Sequence, residues 1–286
     1  SFQPMGVIGI ISPWNYPFSI PVGETVMALL CGNAVILKPS SATALVGKKI
    51  EEMFDAAKLL RGVFQLIQGN AETGRTLIES GVDKILFTGS VPVGKEVMSM
   101  CSKNLTPLVL ELGGKDPMIV RADADLEQAT SGAVWGAFTN AGQCCASVER
   151  AYVHESILDN FVKICVEKTK KLKIGNGIDP TVDIGAMTTL EQLQKVEAHL
   201  EDALSRGAKI HCGGERLHNM HGHFFPPTIV TNVDNSFTCV RDETFGPLLP
   251  IMPFSDDKQA IFLANDTAFG LTASIWTKDI KVGEKM

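Results

Sequence analysis

The sequence predicts an α/β protein: a doubly wound domain on a mostly parallel sheet, followed by a second α/β domain. Two observations carry this. From Val7 onward, short β-branched runs alternate with helical stretches, and those runs are largely apolar rather than apolar at every second residue. A strand that is apolar on both faces belongs in a sheet covered on both sides by helices, which is the parallel arrangement. The first strands are expected at Val7 to Ile11, Ala34 to Leu37, Val63 to Ile67, Lys84 to Phe87 and Leu108 to Glu111. Pro21 marks one helix start and Gly32 lies just beyond its end, while Gly81 follows a helix from Ala71 to Ser80, as proline and glycine are placed around helices. The pattern continues with a strand at Pro117 to Val120, a helix after Asp125, a strand at Ala151 to His154, and amphipathic helices at Ile157 to Lys171 and Leu190 to Arg206. The Gly113-Gly114 pair divides the chain into residues 1–113 and 114–286.

Bulk composition narrows the function classes. With 286 residues and 45% hydrophobic content, the chain can build two ordinary cores. Lysine plus arginine number 26 against 32 acids, a formal charge of −6 with no long single-sign run; this argues against nucleic acid as the main partner. Seven cysteines form neither a disulfide framework nor paired zinc spacing, so a reducing cytoplasm is the expected compartment. No apolar run is long enough to span a bilayer, and no basic-then-apolar leader opens the chain. The chain starts at Ser1 and stops at Met286, inside what reads as a charged helix from about Asp279. It reads as a piece of a longer protein.

Two short segments carry chemistry. Gly142-Gln143-Cys144-Cys145 places a vicinal thiol pair on a glycine turn, and Glu111-Leu112-Gly113-Gly114-Lys115 places a carboxylate upstream of it. A thiol attacks carbon as its thiolate and needs a polar, donor-rich turn, which Gly142 and Gln143 are suited to form. Each residue also admits a plain structural role: the cysteines as small buried hydrophobes, Glu111 as half of an ion pair. Gly89-Ser90-Val91-Pro92-Val93-Gly94-Lys95 follows a strand and opens a helix, where a phosphate can be held. Glu96 stands where a nucleotide triphosphatase loop needs serine or threonine, which excludes that loop, and the usual dinucleotide glycine spacing is absent. His218, His221 and His223 are loosely spaced in a glycine- and proline-marked turn, so no metal is expected.

Pro13-Trp14-Asn15, Lys38-Pro39-Ser40, Phe87-Thr88-Gly89-Ser90, Glu111 to Lys115, Gly142 to Cys145 and Glu243-Thr244-Phe245-Gly246-Pro247 together resemble the aldehyde dehydrogenase family, in family order and across nearly the whole chain. The resemblance implies a Rossmann-like NAD(P)-binding domain followed by an α/β catalytic domain. It implies oxidation of an aldehyde to a carboxylic acid, with Cys145 as nucleophile, Asn15 and the Cys145 backbone N–H as oxyanion donors, and Glu111 as the base for thioester hydrolysis. For the cofactor it implies Ile11, Pro13, Trp14, Lys38, Ser40, Ser41, Gly74, Phe87, Gly89, Ser90, Leu112, Gly113, Glu243 and Phe245. Many members carry glutamate at the position of Ser41, where it binds ribose hydroxyls and repels a ribose phosphate. Serine beside Lys38 therefore points to NADP being tolerated or preferred over NAD.

Relative to the family, this chain lacks an N-terminal portion and a C-terminal portion, the latter carrying a strand that members exchange between subunits; a homo-oligomer is implied for the full-length protein. A non-catalytic, cofactor-binding fragment and a thiol esterase remain as alternatives. Motifs leave the aldehyde itself open. Arg150 admits a carboxylated substrate, although an arginine opening a strand is commonly structural.

Overall fold

The structure, a computed structural model, describes residues 3–286. It divides into two compact units, one closing at Leu112 and the other running from Gly113 to Met286.

The first unit contains β1 (Val7–Ile11), α1 (Ser19–Leu30), β2 (Ala34–Lys38), α2 (Ala44–Ala56), β3 (Phe64–Leu66), α3 (Ala71–Glu79), β4 (Lys84–Thr88), α4 (Val91–Ser102) and β5 (Leu108–Glu111). Its sheet runs β3-β2-β1-β4-β5, every neighbouring pair parallel. Continuous apolar strands have the expected consequence: Ile8, Ile10, Val35, Leu37 and Ile50 form one core, while Leu77, Ile78, Ile85, Phe87 and Val97 form another. The edge strand β3 is shorter than the sequence pattern, because only Phe64 to Leu66 pair with β2. Asn70 caps α3 by accepting from the Glu72 N–H at 3.0 Å, with Glu72 placed favourably in the first turn.

The second unit contains β6 (Asp116–Val120), α5 (Leu126–Phe138), β7 (Val148–His154), α6 (Leu158–Thr169), α7 (Leu190–Ser205), β8 (Lys209–Cys212), β9 (Thr228–Thr231), α8 (Thr238–Arg241), β10 (Leu248–Phe254), α9 (Asp257–Asn265), β11 (Ser274–Trp276) and α10 (Ile280–Gly283). The sheet order is β11-β6-β7-β10-β9-β8, parallel except for the β8/β9 pair. One core cluster fills the unit, from Met118 and Tyr152 to Phe254. Asp125 accepts from the Gln128 N–H and caps α5. The charged helix expected from Asp279 is a single turn; Asp279 accepts from the Val282 N–H at 3.2 Å and the helix closes at Gly283. Among the described residues, no helix is long and apolar enough to cross a membrane.

Candidate active site

In the first unit the sheet changes direction between β1 and β4, and open α/β sheets take ligands beyond the carboxyl ends of strands at such a point. Ile11 ends β1, and the loop that follows carries Pro13, Trp14 and Asn15, all half-buried. The Ser12 N–H bonds to the Lys38 carbonyl at 3.1 Å, but the buried Ser12 Oγ has no hydrogen-bond partner among the described residues. Lys38, at the end of β2, is 6% exposed. Its ammonium donates to the Pro39 carbonyl at 3.1 Å, and burial pushes its pKa down. Lys38 is thus not a solvated surface charge. Its aliphatic stem runs beside Gly74 of α3, where a side chain would meet Lys38 Cδ at 3.6 Å and Ile11 Cδ1 at 3.8 Å. Ser40 Oγ accepts from the Ala42 N–H at 3.3 Å, which leaves Ser41 exposed at the start of a short 3-10 turn.

The end of β4 is shaped by packing. A side chain at Gly89 would stand 2.6 Å from Phe87 Cζ, and one at Gly94 would stand 2.6 Å from Leu112 Cδ2. Exposed Ser90 occupies the N-cap of α4 in an extended conformation, without using its hydroxyl to cap. Glu111 is exposed at the end of β5. Sequence reasoning missed Glu24 on α1, which accepts a 3.5 Å hydrogen bond from Thr88 Oγ1. Burial, with a contribution from the Glu111 charge, pushes its pKa up to about 7. No motif contains Glu24; its place becomes visible only when α1 packs on β1 and β2 and carries it to Thr88 at the end of β4.

In the second unit, α5 ends at Phe138 and the chain enters a tight turn with Asn140, Ala141 and Gly142 at φ of 55°, 55° and 70°. Gln143 braces this turn: its side chain donates to the Asn140 carbonyl at 3.0 Å and accepts from the Thr188 N–H at 2.9 Å. The groups that lower the Cys145 pKa are backbone N–H donors at Ala146 and Cys145. Cys144 and Cys145 are half-exposed. Hydrogen bonding with Cys144, then burial, holds the Cys145 thiol well above the ordinary thiol range.

Glu243 and Phe245 lie on a second turn that meets the first. The Cα of Gly142 backs onto the Gly246 carbonyl so closely that no side chain fits between them. Glu243 Oε1 accepts from the Gly114 N–H at 3.2 Å, and its carboxylate fills the space that a side chain at Gly113 would need. Segments 113–115, 142–145 and 243–246 thus converge within one unit. Arg150 is spent structurally: its guanidinium donates to the carbonyls of Lys115, Leu263 and Ala264 and to the Tyr152 hydroxyl at 2.8 to 3.3 Å. It caps the carboxyl end of α9 and is not available to a substrate carboxylate.

Burial, with repulsion from Glu149, pushes the Glu243 pKa up from 4.5 to about 7. Between those values the native state binds more protons than the unfolded chain, so stability falls as pH rises from 4.5 to about 7 and levels off above it. Glu243→Gln is expected to remove this loss and to gain on the order of 2–3 kcal/mol over wild type at pH 7.5, with no gain at pH 4.5. Urea denaturation of both proteins across this range measures it; parallel profiles would contradict the assignment.

These features define an α/β chain with a thiol turn docked on an acidic turn. The sequence profile of the aldehyde dehydrogenase family matches residues 1–286. The chain belongs to that family. It is 45% identical over 284 residues to the 4,4'-diapolycopene aldehyde oxidase of a Methylomonas species, covering 99% of this chain and 52% of that protein. An NADP-dependent enzyme of E. coli superposes with a TM-score of 0.95 at 38% identity, covering 99% of this chain and 60% of the other. The NAD-dependent aldehyde dehydrogenase of Sinorhizobium meliloti gives 0.95 at 35% identity, covering 99% and 56%. The chain spans about half the length of the curated relatives it matches.

Proposed function

We propose that the whole protein oxidises an aldehyde to a carboxylic acid with a nicotinamide dinucleotide, through a covalent intermediate on Cys145. The observation that carries this is the half-exposed Cys145 thiol on a left-handed turn seated against the turn of Glu243. In this reading the Cys145 thiol gives its proton to solvent, the resulting thiolate adds to the carbonyl carbon, and the Asn15 amide and the Cys145 N–H receive the oxyanion as it forms. The bound nicotinamide supplies the acceptor for the hydride that leaves this carbon. Glu111 then takes a proton from the water that hydrolyses the thioester and releases the acid.

The residues present fit a dinucleotide. The buried Ser12 Oγ lacks a partner among the described residues at the sheet's switch point, and the ammonium of Lys38 is buried there with a depressed pKa. Both are groups that a ligand hydroxyl or phosphate would satisfy. The family resemblance assigns cofactor contacts to Ile11, Pro13, Trp14, Ser40, Gly74, Phe87, Gly89, Ser90 and Leu112. It assigns them also to Gly113, Glu243 and Phe245.

The test is aldehyde-dependent reduction of NAD+ and of NADP+ by the whole protein, before and after its thiols are blocked with iodoacetamide. Reduction that survives complete alkylation of Cys145 would overturn the reading. Exposed Ser41, placed three residues after Lys38, favours acceptance of NADP+. Ser41→Glu sets a carboxylate where a ribose phosphate would lie, and is expected to lower the kcat/KM ratio for NADP+ over NAD+ about tenfold or more, through like-charge repulsion. An unchanged ratio would remove Ser41 from cofactor discrimination.

A further inference from the structure

The Glu243-Thr244-Phe245 turn is held from behind by a network that none of the roles above assigns. Lys115 and Glu149 are 1% and 3% exposed, and Lys115 Nζ lies 2.5 Å from Glu149 Oε2. Glu149 does more than neutralise the ammonium. Its Oε2 also accepts the Thr244 N–H at 2.7 Å and its Oε1 accepts the Phe245 N–H at 2.8 Å. One carboxylate thereby ties two consecutive backbone donors of the turn, at a point where Phe245 has a φ of 53°.

The remaining groups complete the arrangement. Lys115 Nζ donates to Thr244 Oγ1 at 3.2 Å, and that oxygen lies 3.1 Å from His199 Nδ1. Burial, together with the Lys115 charge, pushes the His199 pKa down to about 4. The neutral ring shares this hydrogen bond with the Thr244 hydroxyl, which also receives from Lys115. Gln192 Nε2 donates to the carbonyls of Thr244 and Phe245 at 2.8 and 3.0 Å. The turn's backbone is therefore hydrogen-bonded through both its donors and its acceptors.

The elements that carry this network matter as much as the bonds. Glu149 lies on β7 four residues after Cys145, and Lys115 directly follows Gly114, whose N–H holds Glu243. A side chain at Gly114 would also approach the Cys145 carbonyl at 3.1 Å. We infer that the buried Lys115–Glu149 pair is a positioning device that fixes the cofactor-facing turn of Glu243 and Phe245 against the Cys145 turn, and so sets the alignment of hydride donor and acceptor. This rests on the proposed function, which gives Glu243, Phe245 and Cys145 their roles. A buried ion pair is weak support for stability alone, since apolar or neutral replacements of similar size commonly match it. Glu149 matters in a different respect: it sets a separate oxygen against each turn N–H, and glutamine would turn its NH2 donor toward one of them.

The test compares wild type, the double variant Lys115→Met with Glu149→Gln, Glu149→Asp and Glu243→Gln in the whole protein. Three quantities are read: the NAD(P)+ dissociation constant by fluorescence quenching, the deuterium isotope effect on kcat with an aldehyde labelled at C1, and the rate of Cys145 alkylation without cofactor. The double variant removes both buried charges together and is expected to fold. Its cofactor dissociation constant should rise about tenfold or more and its isotope effect should increase, because small misplacements cost steeply at hydride transfer, while alkylation stays within about twofold of wild type. A folded double variant with unchanged affinity and isotope effect overturns the inference. Should it not fold, Glu149→Asp decides: it keeps the charge but is one methylene too short for both N–H groups, so it must weaken cofactor binding for the inference to stand. Wild type that binds no dinucleotide, or binding that is indifferent to Glu243→Gln, locates the failure in the proposed function instead.

Discussion

Cys145→Ala is expected to lower aldehyde oxidation by a factor of about 10⁴ or more, the scale on which loss of a covalent nucleophile acts, while the protein stays folded and binds its dinucleotide. The structural reason for the separation is that Cys145 is not one of the residues that shape its turn. It is half-exposed at the end of a turn whose shape is set by other groups: Gln143 bonded to Asn140 and Thr188, and the Ser147 hydroxyl bonded to the Gly136 carbonyl at 3.0 Å. Alanine removes one sulfur from the surface of that turn and none of its braces. Neighbouring Cys144, hydrogen-bonded to the Cys145 thiol, is tested in parallel: Cys144→Ala should retain turnover. Undiminished turnover by Cys145→Ala, measured as aldehyde-dependent reduction of the nicotinamide, would displace Cys145 from its assigned role.

How much was legible beforehand depends on the range of the interactions. The strands of the first unit could be read because parallel, doubly covered strands write themselves as unbroken apolar runs such as Val7–Ile11. Strands β8 and β11 could not, being short and only partly buried, with Lys209 exposed. The site divides in the same way. Cys145, Glu243 and Phe245 sit in compact motifs, whereas the groups that hold them lie far apart in sequence. Lys115 was visible inside its motif but without a task, since its partners Glu149 and Thr244 are 34 and 129 residues away. Glu149 and His199 belong to no motif. Gln143 could be read as part of the thiol turn, but not its second bond, since Thr188, whose N–H its side chain accepts, lies 45 residues away.

Gly142→Ala is expected to be the most damaging small substitution in this region, costing on the order of 3–5 kcal/mol of stability as the sum of backbone strain and overpacking. Two independent effects act at this residue. Its φ of 70° is one that an L side chain adopts only with strain, and an added methyl would run into the Gly246 carbonyl and toward Pro247 N at 2.9 Å. Both obstacles are backbone, so relief requires the two turns to separate, and the Cys145 turn would part from the turn of Glu243. Gly113→Ala supplies the contrast. There the methyl would meet the far end of the Glu243 side chain, which can swing aside, so stability should change by no more than about 1 kcal/mol while cofactor binding weakens. Urea denaturation of the two variants, with Gly185→Ala as a reference where an added methyl meets nothing within 4 Å, separates the cases. Equal stability losses at residues 142 and 113 would mean that the contact between the two turns is yielding, and would count against a thiol turn held rigidly in place by its packing.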